Sequence, residues 1–191
     1  PVKVQWTRDN DMKGGRYRPA YVHRVKAGLD KDGKLIAWQN HIVGQSIMTG
    51  TAFEGMAVQN GIDFTSVEGA ANIPYGVANL NVGLTSTKVG VPVLWWRAVG
   101  STHTAYAVES FLDEVAEAAG KDPVAFRLEL LSNAPRHAAA LKLAAEKAGW
   151  DAAPAAGRFR GVAVAESFNT VVAQVVEVSI DEGGAIKPER V

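Results

Sequence analysis

Cysteine is absent from the 191 residues. That removes disulfides, cysteine-ligated zinc and cysteine-ligated iron–sulfur clusters from the chain at once. It leaves the compartment open between cytoplasm and periplasm. An excess of either charge is also lacking: twenty basic and twenty acidic residues give a formal net charge of zero. No electrostatic footprint for nucleic acid or an anionic membrane surface follows from such a balance. No apolar run reaches the length of a membrane span. Histidine is scarce, with only His23, His41, His103 and His137, and no two stand at the i, i+4 spacing of a helical metal site. Gly44-Gln45-Ser46-Ile47-Met48 has Met where a nucleophile elbow needs Gly. The scattered glycines form no phosphate-binding fingerprint. A self-contained hydrolase is disfavoured, because no nucleophile has a base at plausible spacing.

What is present is the composition of an ordinary globular protein, 47% hydrophobic and 21% charged, long enough for a real core. Val2–Trp6 alternates and predicts a strand, followed by a polar turn region from Arg8 to Gly15. Runs at 21–29 and 35–43 flank Asp30-Lys31-Asp32-Gly33-Lys34 and predict a hairpin. His23 and His41 sit on its two arms, close enough to face each other, and read best as exposed strand residues. Residues 44–75 show no clean period; so long an irregular stretch points to a functional or interface loop. Residues 79–89 predict a further strand.

The strongest helix runs from Ser101 to Ala119, with Ala105, Val108, Leu112, Val115 and Ala119 forming one apolar stripe. Ser101 or Thr102 can cap it and Gly120 stops it. Asp122-Pro123 starts a second helix to about Leu131, and a third spans 136–148 before Gly149. Residues 151–157, rich in Ala, Pro and Gly, predict a linker. Strands follow at 161–165, 171–180 and 185–191, with a second hairpin turn at Asp181-Glu182-Gly183-Gly184. The expected fold is α+β: mixed or antiparallel β-hairpins packed with about three helices. The expected division is a first subdomain over 1–150, a linker over 151–157 and the start of a second subdomain over 158–191. Pro1 lacks a preceding Met and Val191 falls inside a closing strand, so a piece of a longer two-domain subunit is expected.

The chemistry centres on Val93-Leu94-Trp95-Trp96-Arg97-Ala98-Val99-Gly100. Two adjacent indoles make good pocket walls at small entropic cost. Arg97 carries a permanent charge with fixed donors. Gly100 lets backbone approach a ligand closely, and the helix start behind it presents N–H groups suited to an anionic cofactor. The alternative is a buried strand and helix cap, with Arg97 in a structural ion pair. Glu109, Asp113 and Glu117 follow at four-residue steps. Glu109 stands at the edge of the apolar stripe, open between a solvated position and a buried one that satisfies backbone donors or an arginine.

These pieces occur in a telling order. Arg97-Ala98-Val99-Gly100, a helix with Glu109 and Asp113-Glu114-Val115-Ala116, then Gly120-Lys121-Asp122-Pro123 and Arg127, resemble the molybdenum hydroxylases. These are the relatives of xanthine dehydrogenase and aldehyde oxidase. Trp6-Thr7-Arg8-Asp9-Asn10-Asp11-Met12 resembles the start of the same domain. Trp95-Trp96-Arg97 and Glu166-Ser167-Phe168 resemble the large (beta) subunits of the isoquinoline 1-oxidoreductase branch.

The resemblance implies a molybdopterin cofactor carrying molybdenum, in the cytosine dinucleotide form common in bacteria. It implies hydroxylation of an N-heteroaromatic or aldehyde carbon with oxygen from water. Arg97, Ala98, Val99 and Gly100 would lie beside the cofactor, and Trp95 and Trp96 would line the substrate pocket. Ala98 stands where the family has Gly and Val99 where it has Phe, so purine-like packing is not implied. The family's general-base glutamate motif is not in this chain. No metal ligand or catalytic residue is therefore expected here, and the chain by itself is expected to be inactive and free of cofactor. Iron–sulfur clusters would sit on a small [2Fe-2S] partner subunit. Unpaired strand edges are expected to promote self-association. The other reading is a non-catalytic interaction module that docks an iron–sulfur subunit, with Trp95 and Trp96 as its anchor.

Overall fold

The computed structural model describes residues 1–191. Its first element is not a strand. Val2–Trp6 finds no ladder partner, and Trp6 lies against Gly14 instead. An alternating pattern makes a strand only where another strand completes its hydrogen bonds. The expected polar turn is helix α1 (Arg8–Gly14), capped by Thr7 with Asp9 and Asp11 in its first turn and Lys13 in its last. These charges complement the helix dipole.

Strands β1 (Tyr21–Leu29) and β2 (Leu35–Gln45) form the expected antiparallel hairpin. Asp30 builds its turn by accepting the N–H groups of Asp32 and Lys34, both at 2.9 Å. His23 pairs with Ile42 and Arg24 with His41, so the two histidines project from opposite faces. His41 reaches Thr85 at 3.0 Å, whereas His23 is half-buried on the inner side.

The stretch 44–75 is a crossover built of short pieces. It contains α2 (Glu54–Ala57), β3 (Val58–Gln59), β4 (Ile62–Asp63) and α3 (Phe64–Val67). Asn60 and Gly61 make the β3–β4 turn with φ of 51° and 78°. The crossover delivers β5 (Asn79–Thr87) parallel to β2, giving a mixed sheet in the order β1-β2-β5.

Three long helices follow: α4 (Ser101–Ala118), α5 (Pro123–Leu130) and α6 (Pro135–Ala148). Asp122 caps α5 through Val124 and Ala125 N–H, as its position before Pro123 predicts. β6 (Arg158–Ser167), β7 (Thr170–Ile180) and β8 (Ile186–Arg190) form an antiparallel sheet. Asp181 builds the β7–β8 turn by the same device as Asp30.

Helix α4 organises the core. Its Val108, Leu112 and Val115 join Trp38 and Ile42 of β2, Phe126 and Leu131 around α5, Leu141 of α6 and Val162 and Val164 of β6 in one cluster. Trp38 meets Phe111 edge-on at 5.2 Å. Each such buried side chain contributes roughly 1.5–3 kcal/mol.

Candidate functional site

Two polar regions lie at different levels of α4. The lower one is buried except at its Asp113 rim. Glu109 and Arg127 are buried, the latter with 0% exposure. Arg127 Nε donates to Glu109 Oε2 at 3.0 Å and Nη1 to Asp113 at 2.5 Å. Tyr75 Oη donates to Glu109 Oε1 at 2.7 Å, and Val164 N–H to Oε2 at 3.0 Å. Arg127 Nη2 also bonds the Glu109 carbonyl. Burial pushes the Glu109 carboxyl up, opposed by Arg127 and the donors of Val164 and Tyr75. Burial likewise drives the Tyr75 phenol upward. Of the two readings open for Glu109, the structure selects the buried one. The network joins α4, α5 and β6 and is structural. The carboxylate oxygens of Glu109 and the Tyr75 hydroxyl are all engaged within it.

The upper region is the turn into α4. Val93 is buried and bridges Tyr17, with Tyr17 N–H on Pro92 and Leu94 N–H on Tyr17. The expected buried strand ends there. Trp95 and Trp96 are 44% and 53% exposed, and Arg97 is exposed. Arg97 takes part in no ion pair and no side-chain hydrogen bond, so the structural-pair alternative fails. Trp95 leans edge-on against Phe53 at 6.2 Å.

Ala98 and Val99 follow with φ of 60° and 44°. Left-handed backbone is rare for any residue with a Cβ and a true outlier for a branched one. Such strain persists only where the surroundings impose it, and it clusters at ligand-binding sites. The surroundings here are Gly100 and Glu68. A Cβ on Gly100 would lie 2.0 Å from the Thr65 carbonyl oxygen and 2.7 Å from Glu68 Cγ. Gly100 N–H donates to Glu68 Oε1 at 2.6 Å. Burial pushes the Glu68 carboxyl up and the Gly100 bond opposes it.

This corrects one expectation. Ser101 and Thr102 do not cap α4; the cap residue is Gly100, and Glu68 from the crossover takes its N–H. The N–H groups of Val99, Ser101 and Thr102 are spent within the turn. The α4 terminus is therefore not an open anion cradle. What the turn leaves without a partner are the N–H groups of Trp95, Trp96, Arg97 and Ala98.

A narrow crevice runs under the turn, lined by Tyr21, Trp95, Trp96, Val99, Gly100 and His103 among others. His103 stacks on Tyr21 at 3.8 Å with an interplanar angle of 12°. Tyr21 in turn lies over Gly44, where a Cβ would sit 2.1 Å from the ring. A larger cleft of about 370 Å3 lies on the other side of the α4 start and is lined by Ser101, Thr104, Asn133, Arg136, His137 and Glu166. Glu166 lies 3.2 Å from His137 Nε2 and 3.9 Å from Arg136, but His137 Nε2 makes no hydrogen bond.

Two exposed indoles, an unengaged guanidinium, free backbone donors and a backbone fixed in a strained shape suit a flat, polar, anionic group. The chain belongs to the molybdopterin cofactor-binding domain family, whose model matches residues 1–131. Among curated proteins it is 30% identical over 181 residues to the beta subunit of isoquinoline 1-oxidoreductase of Brevundimonas diminuta, covering 93% of this chain and 23% of that one. It is 31% identical over 158 residues to one subunit of the nicotinate dehydrogenase of Pseudomonas putida, covering 78% of this chain and 13% of that one. The fold matches the crystal structure of quinoline 2-oxidoreductase from Pseudomonas putida 86 with a TM-score of 0.55 at 18% identity, over 91% of this chain and 26% of that one. The chain thus spans about a quarter or less of these relatives.

Proposed function

We propose that the Trp95–Gly100 turn is one wall of the cofactor site of a molybdenum hydroxylase acting on an N-heteroaromatic or aldehyde carbon. Arg97, Ala98, Val99 and Gly100 would hold the molybdopterin, in its cytosine dinucleotide form, and Trp95 and Trp96 would face the substrate. When bound, that group supplies two-electron oxidation with oxygen drawn from water. The chain's own contribution is to bind and orient. The Arg97 guanidinium and the N–H groups of Arg97 and Ala98 offer fixed donors, and the strained backbone keeps them in place. The indoles exclude water and present flat apolar surface to a planar ring. Glu68, the carboxylate touching the turn, is tied to Gly100, so the proton acceptor of the reaction comes from the rest of the enzyme.

The observation that carries this reading is the left-handed pair Ala98–Val99 beside unpaired donors and exposed indoles. The same reading puts the iron–sulfur clusters on a small [2Fe-2S] partner and treats 1–150 and 158–191 as parts of two subdomains joined at 151–157. Metal and pterin analysis of the enzyme carrying this chain, purified with its partners, tests it. Molybdenum and pterin in stoichiometric amount are expected; an active preparation without molybdenum overturns it.

A second reading, an interaction face for the iron–sulfur protein, is favoured by Phe53, exposed against Trp95, and by Met56 and Phe64, exposed on the same crossover. Tryptophan fluorescence separates the two. Quenching on adding cofactor supports the first, and a change only on adding the iron–sulfur protein supports the second.

A further inference from the structure

Asn40, His23 and His103 form a chain of side chains that neither the fold nor the proposed site has used. Asn40 lies on β2 and is fully buried. Its Oδ1 is 3.2 Å from His23 Nδ1. His23 Nε2 is 2.8 Å from His103 Nδ1. The second nitrogen of His103 is buried with no partner, and His103 lines the crevice beside Trp95, Trp96, Val99 and Gly100. An orphaned buried ring nitrogen at such a place requires an explanation.

We propose that the Asn40–His23–His103 chain fixes His103 Nε2 as a bare hydrogen-bond acceptor, positioned in the crevice for a terminal N–H or O–H of the group held by the Trp95–Gly100 turn. The polarity follows from donor counting. In the structure Asn40 turns Oδ1 to His23 and leaves its buried Nδ2 without a partner. A reversed amide would invert the chain and make His103 Nε2 a donor. In the observed orientation Oδ1 accepts, so His23 Nδ1 carries a proton and donates. A neutral His23 then has a bare Nε2, which accepts from His103 Nδ1–H. A neutral His103 is left with a bare Nε2. Both rings are held neutral: burial lowers the His23 pKa, and burial, His23 and Arg18 bring His103 down to about 3. Stacking on Tyr21 fixes the ring plane. The free space of the crevice, about 10 Å3, admits one small terminal group. Pterins carry N–H donors of that size.

This inference rests on the cofactor reading, and its test has two independent arms. The first uses the chain alone. Long-range 1H–15N spectra of its histidines are expected to show an unprotonated His103 Nε2 and a protonated Nδ1. A protonated Nε2 overturns the proposal whatever the cofactor does. The second arm uses the intact enzyme carrying the chain, with pterin and molybdenum retained per polypeptide after dilution as readout. His103→Phe keeps a stacking ring and removes the acceptor; retention is expected to fall about fivefold, the worth of one neutral hydrogen bond. His103→Gln places an amide oxygen near the Nε2 position and is expected to restore retention. His103→Asn mimics Nδ1 only and is not. Rescue by Asn rather than Gln would show a purely structural link to His23 and contradict the proposal. A wild-type enzyme free of molybdenum would instead break the cofactor reading, leaving the spectra to decide the tautomer.

Discussion

The two polar regions on α4 contrast in every physical respect. The Tyr75–Glu109–Arg127 network is buried, hydrogen-bonded throughout and tied to three elements, with Asp113 closing it at the half-exposed rim. The Trp95–Gly100 turn is open, holds unspent donors and is strained. A buried ion pair strongly perturbs its members' pKa values, yet here it marks architecture. The functional candidate is the region where strain and exposure coincide. Perturbed titration alone does not separate the two regions, because Glu68 and His103 beside the turn are shifted as well.

Breaking the buried network has the largest expected effect. Arg127→Met strands Glu109 in the core and is expected to destabilise the chain by about 3–5 kcal/mol in urea unfolding. Adding Glu109→Gln should recover much of that loss, because no buried charge then lacks a partner. If the single variant unfolds like wild type, the network is not structural.

At the open region the expected effects on stability are smaller. Gly100→Ala drives a Cβ into the Thr65 carbonyl and is expected to lose about 1–3 kcal/mol by the same measurement. Val99→Gly goes the other way. It relieves a left-handed branched residue at the expense of chain entropy and is expected to gain about 1 kcal/mol.

The smallest effect is a pH dependence. A histidine held neutral by the fold contributes stability that is intact above its ordinary pKa of 6.5. For His103 that contribution is lost as pH falls from 6.5 towards about 3, because only the unfolded chain takes up the proton. The thermal midpoint should therefore drop between pH 7.5 and pH 5. His103→Phe should drop less, with His23 and His137, both also lowered by burial, supplying the remainder.

Local signals were legible in the sequence. Asp30 and Asp181 set their turns, Asp122-Pro123 set the start of α5, and the three-four apolar spacing set α4. The Asn60-Gly61 pair was an equally good hairpin signal inside the stretch read as irregular, and Thr7 with two acids marked α1. The site depends on distant partners that no local pattern encodes. Glu68 takes the cap N–H of Gly100 across 32 residues, and His23 meets His103 across 80 residues. The α4 terminus reads as open on sequence because the residue that closes it belongs to another element. The Trp95–Gly100 run was visible from residue type alone, whereas its strain required φ angles.

The most direct test of the central claim is pterin retained per polypeptide in the enzyme carrying Val99→Gly, measured beside its unfolding midpoint. The account predicts a more stable protein that holds less cofactor, because the relaxed turn no longer fixes the Arg97 and Ala98 donors. A raised midpoint with undiminished pterin would contradict it.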